Sequence, residues 1–95
     1  MAAFVIVNVE ITDPVRYEEY KKLAAPTVAA YGGRYVVRGG KVDRLEGSWR
    51  PGRIVVLEFE TPQQARRWWD SDDYRPARNL RHASAATDMI LVEGV

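Results

Sequence analysis

The sequence contains no cysteine and only one histidine. The first absence excludes disulfides, thiolate nucleophiles and cysteine-ligated metals. A lone histidine cannot form the paired sites that bind zinc, and the segment containing Asp70, Asp72 and Asp73 lacks the glycine and distal glutamate of a calcium loop. Neither a phosphate-binding glycine loop nor a Ser/His/Asp elbow is present. We therefore expect no metal and no cofactor.

Charge of one sign and long apolar runs are also missing. Fourteen Lys and Arg residues face 13 Asp and Glu, for a net charge of +1, whereas a nucleic-acid-binding domain usually carries a basic face. No apolar run approaches the ~20 residues of a membrane span. The N-terminus has no basic segment ahead of its apolar stretch, so no signal peptide is predicted. We expect a soluble cytoplasmic protein without nucleic-acid or membrane partners.

What is present is ample apolar content in a short chain. The 95 residues are 46% hydrophobic, which excludes disorder and favours one domain over residues 1–95. A domain of this size buries only about 60–65% of the surface that its unfolded chain exposes. A partner subunit would therefore add to its stability.

Hydrophobic periodicity predicts four strands and two helical stretches. The strands cover Ala3–Ile11, Arg34–Arg38, Arg53–Glu60 and Thr87–Val95. Asp13 and Pro14 begin a helix that runs to about Tyr31, and Pro26 is expected to kink or split it. A second helical stretch begins at Thr61-Pro62, is interrupted at 71–73, and resumes from Tyr74 to about Ala85. Residues 41–52 are predicted to be mainly a connection.

The order β-α-β-β-α-β predicts an α+β fold, the ferredoxin-like βαββαβ sandwich with a four-stranded antiparallel sheet and both helices on one face. We expect the helices to cover the side that carries Val5, Val7 and Val9. The other side then exposes apolar residues, namely Phe4, Ile6, Ile54 and Val56. Because an exposed apolar surface of this size usually marks an interface, we expect a homodimer with sheet packed on sheet.

An ordered set of short motifs runs through nearly the whole chain. It comprises Tyr20, Ala30-Tyr31-Gly32-Gly33-Arg34-Tyr35, Arg38-Gly39-Gly40, Glu46-Gly47-x-Trp49-x-Pro51-x-Arg53, Glu58-Phe59, Ala65-x-x-Trp68-x-x-Ser71-x-x-Tyr74, Arg81 and Leu91-Val92-Glu93-Gly94. This set resembles the domain of unknown function 1330 family, although Glu60 stands where a proline is more usual. The resemblance implies a dimeric α+β barrel, a group that includes cofactor-free monooxygenases, muconolactone isomerase-like enzymes and haem-dependent chlorite dismutase-like enzymes. The family itself has no established reaction.

The segment from Trp68 to Arg81 is the first candidate ligand site. Trp69, Tyr74 and Arg81, with Arg78 nearby, could hold a small planar carboxylate, because arginine binds it bidentately and an indole ring stacks on it. Alternatively, Trp68 and Tyr74 belong to the core, and the two arginines pair with Asp72, Asp73 or Glu93.

Arg38 and Glu58 are the other candidates. Arg38 could reach a bound anion at the sheet edge, or it could pair with Glu58 or Glu46 and fix the hairpin. Glu58 could serve as a general base if half-buried, or it could pair with Arg53 or Arg38. His82 is expected to face solvent.

These residues leave two functions open. One is a dimer that binds or transforms a small aromatic or carboxylate ligand in a cleft between helices and sheet, by cofactor-free isomerase- or oxygenase-like chemistry. The other is a non-catalytic structural or ligand-responsive dimer module.

Overall fold

The computed structural model describes residues 1–95 as four strands and three helices. The strands are β1 (Ala3–Ile11), β2 (Arg34–Arg38), β3 (Arg53–Phe59) and β4 (Ala85–Glu93), and the helices are α1 (Pro14–Ala30), α2 (Pro62–Trp69) and α3 (Arg75–Ser84). All neighbouring strands are antiparallel, in the order β2-β3-β1-β4. This arrangement confirms the predicted ferredoxin-like sandwich, in which two helical pieces, α2 and α3, form the second helical unit.

Helix α1 begins and ends as the sequence predicts. The Asp13 carboxylate accepts a hydrogen bond from the Arg16 backbone N–H at 3.2 Å, and Pro14 occupies the first turn. Gly32 takes a φ of 78° just after the helix, which favours glycine. Pro26 does not split the helix. Both Pro26 and Lys22, whose carbonyl loses its usual donor, are exposed, so water can satisfy that carbonyl.

The break between α2 and α3 is organised by Ser71. Its hydroxyl donates to the Trp68 carbonyl at 2.8 Å and accepts from the Tyr74 N–H at 3.0 Å. A single side chain therefore satisfies the end of one helix and the start of the next. The predicted interruption at 71–73 is confirmed.

Strand β4 covers Ala85–Glu93 rather than the predicted Thr87–Val95. The prediction was two residues late because Ala85 and Ala86 have little intrinsic preference for strand structure. Pairing with Ile11 and Glu10 of β1 places them in the sheet nonetheless.

The core lies between one face of the sheet and the helices. Val5, Val7 and Val9 are buried there, as predicted, together with Leu57 and Phe59 of β3. Helix α1 packs along α3, and α2 lies over the middle of the sheet. The two layers give the molecule extents of 36 × 34 × 16 Å.

The opposite side of the sheet has no helix on it, and we refer to it as the open face. Its apolar residues are Phe4, Ile6, Val37, Ile54, Val56, Ile90 and Val92. Ile90 is 57% exposed and Val92 41% exposed. The register of β2 on β3 shifts between Tyr35 and Val37, which forms a bulge in this edge strand. No helix is both long and apolar enough to cross a membrane.

Candidate functional site

A cleft of about 570 Å³ opens between the second helical unit and β4. We call it the β4 cleft. Its helical side carries Arg66, Trp69, Arg81 and His82, and its sheet side carries Thr87 and Leu91. The volume falls within the range that small-molecule sites occupy, about 300–1,000 Å³. Half-apolar walls with a few converging polar groups suit a small ligand better than a macromolecule.

Arg81 is the principal charged group of the β4 cleft. Its side chain is buried, with 3% of its surface exposed, because it lies on the inner face of α3 with Ala77 and Ser84 at helical spacing. One guanidinium nitrogen, Nη1, donates to the Thr87 hydroxyl, and Nη2 lies 3.4 Å from Nε2 of His82. Nε has no hydrogen-bond partner.

No carboxylate pairs with Arg81. The four ion pairs of the protein are Arg16–Asp13, Lys21–Glu18, Arg34–Glu58 and Arg75–Asp72. A guanidinium stays charged at all ordinary pH values, and burying it without a counter-charge costs several kcal/mol, of order 3–5 when a buried pair is broken. Asp70 also lines the cleft, but it forms no ion pair with Arg81, so the buried guanidinium has no direct counter-charge.

His82 sits beside this charge at the rim of the cleft. It is exposed, as predicted, yet it also lines the β4 cleft. Burial of part of the ring lowers its pKa, and the neighbouring positive charges of Arg81 and Arg78 lower it further. At neutral pH the imidazole is therefore held in its uncharged form, which can accept a proton.

Trp69 forms part of the apolar wall of the cleft. Its side chain is 42% exposed, whereas the adjacent Trp68 is fully buried, as expected for two neighbours on a helix that point about 100° apart. The guanidinium of Arg78 stacks 4.6 Å from the centre of the Trp69 ring and donates to the Trp69 carbonyl at 3.0 Å. These contacts fix the indole in place.

Tyr74 belongs to the core and does not line the β4 cleft. It is fully buried, with its ring centre 4.2 Å from that of Trp68 and its hydroxyl 3.0 Å from the Tyr20 hydroxyl. Of the alternatives for this segment, the core positions of Trp68 and Tyr74 are observed. The arginines do not have the carboxylate partners that this alternative expects. Arg78 contacts Trp69, and Arg81 contacts Thr87 and His82.

The structure separates Arg38 and Glu58 from this cleft. Arg38 lies on the helix side of the sheet, near the other edge, and its guanidinium stacks 4.3 Å from the centre of the Tyr35 ring. Glu58 lies on the open face and pairs with Arg34, not with Arg38 or Arg53. The register of β2 on β3 explains this partner, because Arg34 stands directly opposite Glu58 and Arg38 stands opposite Val55.

The sequence interpretation did not include Arg66, His82 or Thr87 among the site residues. Thr87 could have been found from its place at the predicted start of β4, on the helix side of the strand. No sequence feature marked Arg66 as a site residue, because it is one of two adjacent arginines on an amphipathic helix. No three His, Asp or Glu side chains come together in a group that could hold a metal ion.

The family model for a domain of unknown function, DUF1330, matches residues 2–95. The chain belongs to this family. The family resemblance that the motifs indicate is thereby confirmed over residues 2–95. No curated protein matches the chain at a significant level.

Solved structures share the fold of this DUF1330 protein. A protein of unknown function from Rhodopseudomonas palustris is 16% identical, with a TM-score of 0.81, and the match covers 99% of this chain and 82% of that one. SnoaB, a cofactor-independent oxygenase from Streptomyces nogalater, is 13% identical with a TM-score of 0.69 over 99% of this chain and 93% of its own. An ethyl tert-butyl ether d (ethd) family protein from Bacillus halodurans is 12% identical with a TM-score of 0.62, covering 100% and 99%. At these identities the likeness shows the fold alone.

Proposed function

We propose that this DUF1330 protein binds a small aromatic or otherwise apolar carboxylate in the β4 cleft. The observation that carries the proposal is the buried guanidinium of Arg81, which has no carboxylate partner and lies at the wall of an open cleft. A bound carboxylate would supply the missing counter-charge and accept charge-assisted hydrogen bonds. Trp69 would stack on the apolar part of the ligand.

The candidate residues would have different roles, because they lie in different parts of the protein. Arg81 and Trp69 line the cleft and would contact the ligand directly. Tyr74 would act indirectly, because it supports Trp68 and the start of α3 from within the core. Arg38 and Glu58 lie too far around the sheet to join this site, since one is near the β2 edge and the other is on the open face.

The chemistry that suits this cleft is cofactor-free proton transfer, as in an isomerase. His82 is uncharged at neutral pH and lies next to the group that would hold the carboxylate. An imidazole in this position can remove a proton from a carbon near the carboxylate, while Arg81 stabilises the negative charge that develops. The oxygenase SnoaB shares the fold, so a cofactor-free oxygenation belongs to the same proposal.

The protein would act as a homodimer through its open face. That face combines seven apolar side chains with the charged residues Arg34, Glu58 and Asp88 around them. An apolar centre with a polar rim is the usual anatomy of a protein interface. Two sheets packed in this way leave both β4 clefts on the outer, helix-covered sides.

A binding screen tests the proposal. Thermal shift and NMR titration would use aromatic carboxylates alongside the matching uncharged amides. We expect the carboxylates to bind and the amides to bind at least tenfold more weakly, because they lack the charge that Arg81 needs. Arg81→Met should abolish binding, whereas Arg67→Met, on the exposed side of α2, should leave it unchanged.

The outcomes separate the candidate functions. Carboxylate binding that survives Arg81→Met would overturn the site. Turnover of a bound carboxylate that is lost in His82→Gln would support the enzymatic function. Binding without turnover would assign the protein to the ligand-responsive alternative.

A further inference from the structure

A second, much smaller space lies inside the protein, between α1 and the β2–β3 side of the sheet. We call it the inner chamber. Its volume is about 20 Å³, and its walls include Tyr17, Tyr20, Tyr35, Arg38, Arg53 and Arg81. A cavity needs at least about 10–15 Å³ to hold a single water molecule, and a monatomic ion is the kind of anion closest to water in size. The chamber therefore has room for one such particle and not for a carboxylate or a phosphate.

The polar atoms of the chamber are an unusual set, because hydrogen-bond donors dominate. Nε of Arg53 and Nε of Arg81 are both buried, and neither has a hydrogen-bond partner. These atoms can only donate. Both arginines line the chamber, so an occupant that accepts hydrogen bonds there could satisfy these two donors.

The tyrosines add further donors. Burial raises the pKa of Tyr17, Tyr20 and Tyr35, so their phenols keep their protons at any physiological pH. The Tyr20 hydroxyl shares a hydrogen bond with Tyr74 at 3.0 Å. Tyr17 lies close enough to Arg53 for the guanidinium to oppose the effect of burial on the pKa of the phenol. The walls thus supply neutral O–H groups as well as charged N–H groups.

No carboxylate lines the chamber to balance its positive charge. Lys21 also reaches the wall, but it is paired with Glu18 at 2.9 Å. Glu18 feels the Arg53 charge, yet it is exposed and its nearest cation is Lys21. Arg53, Arg38 and Arg81 therefore have no acidic partner of their own.

Arg53 is held in place by the shape of the backbone next to it. Gly39 has a φ of 71°, and a Cβ atom there would overlap Nη1 of Arg53. The other side of the guanidinium faces Tyr17, with 5.9 Å between its central carbon and the ring centre. The turn after β2 thus leaves room for the guanidinium, which gives the Arg38-Gly39-Gly40 motif a physical role.

We propose that the inner chamber is a binding site for one monatomic anion, of which chloride is the abundant biological example. The anion would accept from Nε of Arg53 and Nε of Arg81 and would balance their buried charge. It would join β3 to α3 through the middle of the protein. This site is separate from the β4 cleft, which would take a carboxylate from the opposite side of Arg81.

Bromide provides the direct test, because its anomalous scattering distinguishes it from water. Crystals of the unmodified protein grown in sodium bromide should show an anomalous peak in the chamber, within hydrogen-bonding distance of both Nε atoms. A water molecule there, with no anomalous signal, would overturn the proposal. A peak found only at exposed arginines would overturn it as well.

Solution measurements give a second test. Replacing sodium gluconate with sodium chloride at equal ionic strength should raise the Tm, because an anion that binds only the folded state stabilises it. Arg53→Met should remove this chloride response, and Arg44→Met, in the exposed β2–β3 connection, should keep it. If Arg53→Met fails to fold, Arg53→Lys retains the charge but lacks the Nε donor, and it should bind bromide at least tenfold more weakly. An Arg53→Lys variant with unchanged bromide affinity would contradict the proposal.

Arg81 lines both sites, and substitution of Arg53 is therefore the way to test one without the other. Arg53 does not line the β4 cleft, so Arg53→Met should still bind aromatic carboxylates. Loss of the chloride response with retained carboxylate binding would support the chamber site, whatever the function of the cleft.

Discussion

The indole N–H of Trp68 donates to the hydroxyl of Thr27 over 3.0 Å, and that hydroxyl in turn donates to the Ala24 carbonyl at 2.7 Å. This chain of two hydrogen bonds connects α2 to α1 beside the Pro26 position. Trp68 is fully buried, so its N–H has no access to water. The partner of a buried donor is costly to remove.

Thr27→Val should therefore destabilise the protein by about 1–3 kcal/mol, because it keeps the shape of the side chain but leaves the Trp68 N–H unsatisfied. Urea denaturation measures the change. Thr27→Ser retains the hydroxyl, so its loss of stability should be clearly smaller. Equal losses for the two variants would show that the hydrogen bond contributes nothing.

Arg81→Met should stabilise the ligand-free protein, although it abolishes binding. The substitution removes a buried charge without a carboxylate partner and leaves a flexible apolar side chain of similar length. Replacing buried charges with apolar groups is often worth about 1–4 kcal/mol in favour of folding, and the lost bond to Thr87 offsets part of this. A Tm below that of the unmodified protein, measured in chloride-free buffer, would contradict the prediction.

The lowered pKa of His82 predicts how stability depends on pH. Protonation of this ring costs more in the folded protein than in the unfolded chain, because burial and the Arg81 and Arg78 charges disfavour the cation. The contribution of His82 is thus complete above the unfolded pKa of about 6.5 and is lost as the pH falls from there towards the folded pKa. His82→Gln should flatten the decline of Tm in this window, and an unchanged slope would assign the decline to other groups.

A bound carboxylate should oppose the lowering of the His82 pKa. A negative charge beside His82 favours the imidazolium, so the affinity for an aromatic carboxylate should increase as the pH falls from about 7 towards 5. Calorimetric titration at several pH values measures the trend, and His82→Gln should remove it. Affinity that is constant with pH in the unmodified protein would place the carboxylate away from this ring.

Ile6→Glu should convert the proposed dimer to a monomer. Ile6 lies at the centre of the open face, between Val56 and Ile90, where a buried carboxylate would have no partner. Sedimentation at micromolar concentration measures the mass. Val15→Glu is the matched control, because Val15 is 74% exposed on α1 and away from the open face. A stable monomer before any substitution would rule out the dimer.

Much of the fold was predictable because it depends on local chemistry. The alternation of Val5, Val7 and Val9 reports which face of β1 is buried, and capping residues such as Asp13 mark where helices begin. Such signals lie within a few residues of the structure they specify. The break before Tyr74 was predictable for the same reason.

The site was harder to predict because it depends on which charged side chains do not form ion pairs. Nothing in the sequence near Arg81 says that Asp72 pairs with Arg75 instead, or that Glu93 lies beyond reach. Likewise, the partner of Glu58 depends on the register of β2 on β3, which places Arg34 rather than Arg38 opposite it. These are properties of register and distance, and they appear only when the chain is folded.

The bulge in β2 has a further effect on how copies of this protein can meet. A regular edge strand offers a straight row of free N–H and C=O groups to which a strand of another molecule can add, and repeated addition produces fibrils. Strand β2 is only five residues long, its register on β3 shifts after Tyr35, and an arginine stands at each end. Growth of the sheet at this edge is therefore disfavoured.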